Sequence, residues 1–413
     1  MSNKKVAPAQ TIIREGNMKQ YKYTKTFEDC KLYRVGNDIL ELIETAATDG
    51  TPISKWERRT RESIAERFGK DSIKNIPYFD SVVIVPSHDN YQRYIGSNLN
   101  IYNPLPCQPQ EGEHPMFDRL MQHIFGDQIE QGWTYLALAY QKPLQILPVL
   151  CLVSEKNSTG KTTVANCIKW LFGQNVEMMT QNEMNSPFNG WVKGLFAIFE
   201  EISDGKKALN IIKALSTAKF ATLNEKYKAA ISVEVFVKII ILTNNATDFI
   251  RANENDIRYW VRELPEIGDN FIPDFDERLR NEVPAILHTL KNRPLPPKRS
   301  RMWFTADEIR TEALNNVIEN SKSDCAKSIL VWAEDAFAEQ PVTHATIKDL
   351  IEILHHRYSH SEIKNALQEE LKIKPVTGRY IDYNKNSIVG RYYTFRSNAL
   401  PDTATDDNDD MPY

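Results

Sequence analysis

Short apolar runs alternate with amphipathic stretches between about residues 145 and 265 of the chain. Each run has the length of a strand, and the stretch after the first run carries apolar residues at helical spacing from Val164 to Phe172. Strands that alternate with amphipathic helices are typical of a parallel sheet with helices on its faces. The pattern therefore predicts an α/β core that contains strands at Leu147–Val153, Leu195–Phe199 and Val237–Leu242.

The regions on either side of this core have less regular patterns. Before it, we expect helices at Trp56–Phe68, Phe117–Phe125 and Ile129–Tyr140, a strand at Phe79–Val85 and an extended Pro- and Gly-rich connection at Tyr102–Pro115. After it, we expect helices at Ala306–Glu319, Ala326–Glu339, Ile347–His355 and Ser361–Leu371, then strands at Arg379–Tyr383 and Arg391–Phe395. Helices followed by a β-hairpin in this order predict a C-terminal winged-helix domain.

Changes in composition divide the chain into six segments. The polar N-terminus, 1–20, and the acidic tail, 399–413, are expected to be disordered because they hold few apolar residues. Between them we expect an N-terminal α/β or helical accessory region at 21–110, a helical collar at 111–144, the α/β core at 145–297 and the winged-helix-like domain at 298–398.

The bulk composition is that of an ordinary globular protein, with 41% hydrophobic and 26% charged residues. Lys and Arg number 51 against 55 Asp and Glu, so any contact with nucleic acid depends on local basic patches. The five cysteines include no C-x-x-C pair, which argues against a disulfide framework and a zinc ribbon. With no apolar leader and no apolar run of membrane length, we expect a cytoplasmic protein without membrane contact.

A phosphate-binding loop is predicted directly after the first apolar strand. Gly160, Lys161 and Thr162 match the end of the consensus G-x-x-x-x-G-K-[ST], whereas Glu155 stands in place of the first glycine. Lys161 is expected on the β- and γ-phosphates of ATP, and the Thr162 hydroxyl on Mg²⁺. The predicted nucleotide-binding residues are Glu155, Lys156, Asn157, Ser158, Thr159, Gly160, Lys161, Thr162 and Thr163.

Two adjacent carboxylates follow the second apolar strand. Hydrolysis of ATP requires one acid to organise Mg²⁺ and another to polarise the attacking water. We assign Glu200 to the metal and Glu201 to the water, since both lie at the strand end where parallel sheets bind their ligands. A solvated acidic turn is the simpler alternative.

Candidates for a contact with the γ-phosphate follow the third apolar strand. Asn244 is the preferred residue and Asn245 the fallback, with a plain turn as the alternative. Arg258 is a candidate to neutralise charge on the nucleotide of a neighbouring subunit. Arg251 and Arg262 are rival candidates for that role, and a surface salt bridge is the simpler explanation of each.

A basic hairpin is predicted between the acidic strand and the asparagine strand, over Ala221–Val233. Lys226 and Lys228 at its tip are expected to contact DNA phosphates. Tyr227 between them is expected to stack on a base or to pack beneath the hairpin. The alternative is a solvated basic turn.

These motifs resemble, in order and in compact spacing, those of superfamily 3 helicases, in particular the phage and plasmid primase-helicases related to poxvirus-type replicative helicases. The resemblance covers about residues 110–270 and rests on Gly160–Thr162, Glu200–Glu201, Lys226–Lys228, Thr243–Asn244 and Arg258. It implies an AAA+ P-loop NTPase core, a homo-hexameric ring, ATP with Mg²⁺, and 3′-to-5′ movement on single-stranded or forked DNA in the replication of a phage, plasmid or integrated element. No primase acid cluster occurs in the first 100 or so residues, so we expect no primase activity.

Two other functions and one further partner are compatible with the sequence. A P-loop ATPase that remodels or loads replication proteins, and a nucleotide-binding protein without turnover, share the same motifs. The tail Asp406–Tyr413 ends in acidic residues followed by Met-Pro-Tyr, which resembles the C-terminal tip of bacterial single-stranded-DNA-binding proteins. That likeness implies recruitment of host replication or repair proteins, and a solubilising tail is the alternative.

Overall fold

The computed structural model describes residues 12–15, 18–21, 26–46, 52–184, 186, 189–201, 211–216, 218–224, 231–247, 249–250, 252, 256–268, 271–338, 340–381 and 386–397. The chain divides into two compact units between Leu314 and Asn315. None of the described helices is long and apolar enough to cross a bilayer.

The described strands are β1 Ile12–Glu15, β2 Met18–Tyr21, β3 Lys31–Val35, β4 Asp38–Ala46, β5 Pro52–Arg59, β6 Tyr78–Phe79, β7 Ser81–Val83, β8 Tyr94–Ile95, β9 Asn98–Asn100, β10 Val149–Val153, β11 Val176–Thr180, β12 Phe196–Glu200, β13 Phe220–Leu223, β14 Ile231–Glu234, β15 Lys238–Thr243, β16 Tyr259–Glu263, β17 Val342–Ala345, β18 Val376–Ile381 and β19 Ser387–Arg396. The α-helices are α1 Arg61–Phe68, α2 Pro115–Phe125, α3 Ile129–Gln141, α4 Lys161–Phe172, α5 Gln181–Met184, α6 Phe275–Asn281, α7 Val283–Asn292, α8 Glu312–Ser321, α9 Asp324–Phe337, α10 Ile347–Ile353 and α11 His360–Asn365.

A five-stranded parallel sheet forms the centre of the first unit, with the strand order β11-β12-β15-β10-β16. Strand β10 is buried along its whole length, as β15 is, because helices cover the sheet. The predicted mixed α/β fold, a parallel sheet flanked by helices, is confirmed. Since all five strands run the same way, their carboxyl ends meet at one edge of the sheet.

The hydrophobic core of this unit joins the sheet to helices before and after it. Phe117 of α2, Tyr135 of α3 and Leu171 of α4 belong to the same buried cluster as Ile240 of β15. Leu290 of α7 lies in that cluster as well. The predicted helices at Phe117–Phe125 and Ile129–Tyr140 are confirmed as α2 and α3, each within two residues of the predicted bounds.

The N-terminal region corrects two sequence predictions. The helix predicted at Trp56–Phe68 is wrong over its first part, because Trp56 pairs with Leu42 inside the strand β5. Helix α1 starts only after Thr60, whose side chain accepts a hydrogen bond from the Ser63 backbone N–H and caps the helix. The strand predicted at Phe79–Val85 is divided at Asp80 into the short strands β6 and β7.

The sheets of the N-terminal region are small. Strands β5, β4, β3 and β6 form one of them, and β7, β9 and β8 form a second. The stretch predicted to be disordered at 1–20 contains β1 and part of β2, which pair as an antiparallel hairpin. The predicted connection at Tyr102–Pro115 has no regular element before α2 begins at Pro115, although Tyr102 is buried.

The second unit combines short helices with a three-stranded antiparallel sheet, in the order β17-β19-β18. The predicted β-hairpin is present as β18 and β19, and both strands begin earlier than predicted. The helix predicted at Ser361–Leu371 ends earlier, because α11 stops at Asn365 and a π-helical turn follows at Ala366–Glu370. The helix predicted at Ala306–Glu319 begins only at Glu312, after a 3-10 turn at Asp307–Ile309.

Candidate nucleotide-binding site

The residues of the loop between β10 and α4 explain its path from the strand to the helix. Ser154 is buried, and its backbone N–H donates to the Thr243 carbonyl (3.2 Å), so the loop leaves the sheet beside β15. Gly160 precedes α4 with φ 84°, a left-handed conformation that favours glycine. Helix α4 then begins at Lys161, which directs the free N–H groups of its first turn into the loop. This arrangement suits an anion.

The carboxyl ends of three strands meet at this loop. In the parallel register Val153 of β10 lies beside Thr243 of β15, and Glu200 of β12 lies beside Leu242. The asparagine strand β15 therefore separates the loop strand from the acidic strand. A polar residue that follows β15 is held between the phosphate loop and the carboxylates.

A cavity of about 740 Å³ occupies this edge of the sheet. It is lined by residues of the loop, by both carboxylates and by the preferred asparagine. The lining residues are Asn157, Ser158, Thr159, Gly160, Lys161, Thr162, Thr163, Thr180, Asn182, Glu200, Glu201, Leu242, Thr243, Asn244 and Ile267. Most of the residues predicted to act on ATP thus lie around one space.

Lys161 is held inside the cavity by its own loop. Its Nζ donates to the Ser154 carbonyl (3.3 Å) and to the Thr159 hydroxyl (3.4 Å). Partial burial lowers the pKa of Lys161, and the Glu201 carboxylate opposes that shift by favouring the charged amine. A phosphate group would replace these weak contacts with charge-assisted hydrogen bonds.

The backbone at Glu201 is strained. Its φ is 52°, in the left-handed region that side chains rarely adopt, and its N–H donates to the Leu242 carbonyl (2.9 Å). Ser158 in the phosphate loop also has a positive φ, of 55°. Strained non-glycine residues of this kind concentrate at functional sites, where the surrounding structure holds them in place.

The residues around the cavity fit a magnesium ion that arrives with a nucleotide. The Thr162 hydroxyl and the Glu200 carboxylate line the same space, and Mg²⁺ typically takes one or two carboxylates together with phosphate oxygens and water. In the described part of the chain, no group of three or more His, Cys, Asp or Glu side chains could hold a metal by itself. The arrangement is compatible with a metal bound mainly through its substrate.

Several predicted residues lie away from the cavity. Glu155 and Lys156 do not line it, and Lys156 instead forms a salt bridge with Glu266 (2.9 Å). The fallback residue Asn245 does not line it either. Lys226–Lys228, the rival Arg251 and the tail Asp406–Tyr413 lie outside the described residues.

Arg258 lies at the opposite end of the sheet. Its carbonyl accepts a hydrogen bond from the N–H of Val149 (2.7 Å), the first residue of β10, so it is separated from the phosphate loop by the length of that strand, roughly 15 Å. Its guanidinium forms a fork with Asp256, with Nε 2.7 Å from Oδ1 and Nη2 on Oδ2. The rival Arg262 donates to the Ile124 carbonyl and to Asp127 (both 3.1 Å).

A second cavity, of about 770 Å³, adjoins the first and shares Gly160, Thr163 and Ile267 with it. Much of its lining is apolar, from Leu120, Ile267, Phe271, Ile272 and Phe275. The remaining lining residues are Arg119, Gln122, His123, Gly160, Thr163, Asp274, Asp276 and Glu277. A pocket with large apolar side chains and a few polar groups, directly beside a phosphate loop, suits a nucleoside.

Two contacts join the second cavity to the loop. His123 donates through Nε2 to the Thr159 carbonyl (3.1 Å), and Thr163 donates through its hydroxyl to Asp276 (3.2 Å). Sequence reasoning missed His123 and Asp276 because α2 and α6 lie far from the loop in the chain and carry no motif. Thr180 and Asn182 were missed as well, although β11 ends in polar residues just as the predicted strands do.

Comparison with protein families matches the central part of the chain. Residues 152–258 match a family of unknown function, DUF5906. This match covers about a quarter of the chain and includes the loop, both carboxylates and Asn244. No curated protein matches the chain.

Solved structures of the C-terminal region of NrS-1 are similar to this chain. The apo structure of its residues 305–718 has a TM-score of 0.64 at 15% identity, over 88% of this chain and 95% of that one. An A-form apo structure of the same region has a TM-score of 0.62 at 14% identity, over 89% and 96%. At such low identity, the likeness concerns the fold alone.

Proposed function

We propose that the chain is an ATP-driven motor of the superfamily 3 helicase type, with an AAA+ core that works as a hexameric ring on single-stranded or forked DNA. The observation that carries the proposal is the cavity at the carboxyl edge of the central sheet. It brings Lys161, Thr162, Glu200, Glu201 and Asn244 around one space. Phage, plasmid or integrated-element replication is the process in which such a motor would act.

The chemistry follows from the lining residues. The N–H groups at the start of α4 and the Lys161 amine bind the β- and γ-phosphates. Thr162 and Glu200 would hold Mg²⁺, which would neutralise charge on the phosphate oxygens when bound. Glu201 orients and polarises the attacking water, and the Asn244 amide donates to the γ-phosphate as charge develops there.

The second cavity favours a nucleoside triphosphate over a simple polyphosphate. Its apolar side chains, Phe275 and Ile272 among them, adjoin the phosphate loop through Gly160. A base and ribose can bury apolar surface there while the phosphates lie in the first cavity. We therefore assign adenosine to the second cavity and the triphosphate to the first.

The DNA contacts and the subunit contacts are separate parts of the proposal. Lys226, Tyr227 and Lys228, which lie between β13 and β14 in the sequence, are proposed to bind the single strand. Arg258 is proposed to complete the nucleotide site of a neighbouring subunit. The tail Asp406–Tyr413 is proposed to recruit host replication or repair proteins, and unchanged binding of such proteins after deletion of Met411–Tyr413 would remove that part.

Replacement of Glu201 by Gln separates hydrolysis from binding. The variant should retain ATP but hydrolyse it at least about 100-fold more slowly, because the amide cannot polarise water. The control is Glu334→Gln, which removes an exposed carboxylate from α9 in the second unit and should leave the rate unchanged. Equal rates in Glu201→Gln and wild type would remove Glu201 from the mechanism.

Strand displacement on a forked duplex distinguishes a helicase from the two alternatives. A translocating motor should release the displaced strand only with ATP, and Glu201→Gln should abolish the release. Hydrolysis without displacement would favour an ATPase that remodels or loads other proteins. Binding without hydrolysis in the wild type would favour a nucleotide-binding protein without turnover.

A further inference from the structure

The hairpin of β18 and β19 in the second unit carries an unusual set of exposed residues. Lys372 and Lys374 precede it, Arg379 and Arg391 lie along it, and Arg396 ends it. All five are exposed, and none forms a salt bridge with another described residue. The described residues 371–381 and 386–397 include no carboxylate. The described part of the hairpin therefore carries positive charge that no carboxylate within it offsets.

The strand register gathers part of this charge on one face. Arg379 lies opposite Val389, and Arg391 lies opposite Thr377, so the two arginines are diagonal neighbours with Val389 between them. Val389 is 70% exposed, and Ile381 further along the same face is 59% exposed. On this face the cationic side chains of Arg379 and Arg391 lie beside the exposed aliphatic side chains of Val389 and Ile381.

The other face of the hairpin is occupied by its own rings. Tyr380 and Tyr392 stack with centroids 4.4 Å apart, and His344 of β17 meets Tyr392 edge-on at 5.0 Å. Tyr380 is buried, and the Tyr392 ring lies against Gly378. Proteins that bind single strands need exposed aromatic rings on which bases can stack. Rings that are stacked on each other are a poor platform for that purpose.

The helices of the same unit carry charge of the opposite sign. Glu362 in α11 and Glu369 and Glu370 in the turn that follows outnumber the single cation Lys364 there. These carboxylates would repel phosphates. In a winged-helix domain α11 would be expected to enter a DNA groove, but its region is acidic whereas the hairpin is basic.

We propose that the β18–β19 hairpin binds duplex DNA as a two-stranded ribbon. The major groove of B-form DNA admits a two-stranded β-ribbon. Arg379 and Arg391 would contact phosphates on the groove walls, while Val389 and Ile381 meet apolar groups of the base edges. This surface goes beyond ATP turnover, since it would hold the unopened duplex on which a motor acts.

The test compares two double variants of the full chain that lose equal charge. Arg379→Gln with Arg391→Gln alters the ribbon, and Lys348→Gln with Lys364→Gln removes two exposed cations from α10 and α11. Fluorescence anisotropy with a labelled duplex of about 25 base pairs, and with one of its strands alone, gives the affinities at several salt concentrations.

We expect the ribbon variant to bind duplex at least about 10-fold more weakly than wild type near 100 mM salt. The slope of log K against log salt should become less negative by about 2, since two phosphate contacts are lost. The helix variant and all single-strand affinities should stay within about twofold of wild type. Melting temperatures of both variants should be unchanged, because all four side chains are exposed.

Three outcomes would overturn the ribbon: no duplex binding by wild type, equal duplex binding by both variants, or a larger loss in the helix variant. Basal ATPase activity without DNA provides a separate readout, because neither Arg379 nor Arg391 lines either cavity. An inactive wild type that still binds duplex through Arg379 and Arg391 would refute the motor and leave the ribbon in place.

Discussion

Both edges of the central sheet carry charged residues, but these residues face a cavity at the carboxyl edge and are buried or paired at the amino edge. At the carboxyl edge, Lys161, Glu200 and Asn244 face a cavity. At the amino edge, Lys238 is fully buried and its Nζ donates to the Phe236 carbonyl (2.8 Å) and the Pro143 carbonyl. Arg258 at that edge is bound by Asp256. Charged groups at one edge are available to a ligand, while those at the other already have partners.

Deep burial shifts the pKa values of two groups at the amino edge. Burial lowers the pKa of Lys238 to about 7. Burial also lowers the pKa of the nearby His88 to about 4, while its Nδ1 donates to the Tyr140 carbonyl (2.7 Å) and its Nε2 accepts from the Tyr102 hydroxyl (2.9 Å). Burial thus favours the neutral forms of Lys238 and His88, which are hydrogen-bonded within the protein, and this suits a structural role for these two residues.

A large effect is expected at Asn244, which lines the cavity, and a small one at its neighbour Asn245, which does not. Asn244→Ala should lower kcat about 100-fold, since one donor to developing charge is lost. Asn245→Ala, one residue further from the cavity, should stay within about threefold of wild type. Steady-state ATPase kinetics check both, and an equal loss in the two variants would mean that the turn as a whole matters, not the Asn244 amide.

Lys238 should show its role in the pH dependence of stability. With a folded pKa of about 7 against 10.5 in the unfolded chain, the unfolded state binds the extra proton between these values, so stability rises with pH in that window. From pH 7 to pH 9, wild type should gain about 2 kcal/mol in unfolding free energy relative to Lys238→Met. Urea denaturation at both pH values measures this difference, and parallel curves would contradict it.

The nucleoside assignment predicts a smaller, binding-type effect. Phe275→Ala should raise the KM for ATP about 10-fold and leave kcat within about twofold, because it removes apolar contact that is the same in the ground state and the transition state. Phe220→Ala provides the control, since Phe220 is an exposed phenylalanine that lines neither cavity. A fall in kcat with unchanged KM would refute the assignment.

Mixtures of two variant subunits test whether Arg258 of one subunit acts at the nucleotide site of the neighbouring subunit. Lys161→Ala and Arg258→Ala should each be inactive alone, whereas an equal mixture should recover activity at up to roughly a quarter of its interfaces, those with an intact loop and an intact arginine. No recovery, or full activity of Arg258→Ala alone, would leave Arg258 as a structural partner of Asp256.

The carboxyl edge was predictable because parallel strands buried on both faces are apolar without interruption. The polar residues that end them, such as Glu200 and Asn244, are therefore conspicuous in the sequence. The N-terminal region offers no such signal. Its strands are half-buried, and Trp56, placed in a helix by sequence reasoning, lies in β5 where it packs against Tyr33.

The second cavity could not be predicted because its residues meet only through tertiary contacts. Leu120 of α2 and Phe275 of α6 are separated by the entire central sheet in the chain. Each has the spacing of an ordinary core residue, so nothing local distinguishes it. A salt bridge was the simpler explanation of Arg258, but its partner Asp256 was not identified, since the sequence of a loop does not show which side chains turn towards each other.

The proposed motor requires, before anything else, that a triphosphate binds in the cavity at Lys161. Calorimetric titration of the full chain with a non-hydrolysable ATP analogue and Mg²⁺ measures this directly, with Lys161→Ala beside it. We expect binding by the wild type and an affinity at least about 100-fold lower in the variant, since charge-assisted contacts to two phosphates are lost. Equal affinity in the two proteins, or no binding by the wild type, would contradict the account.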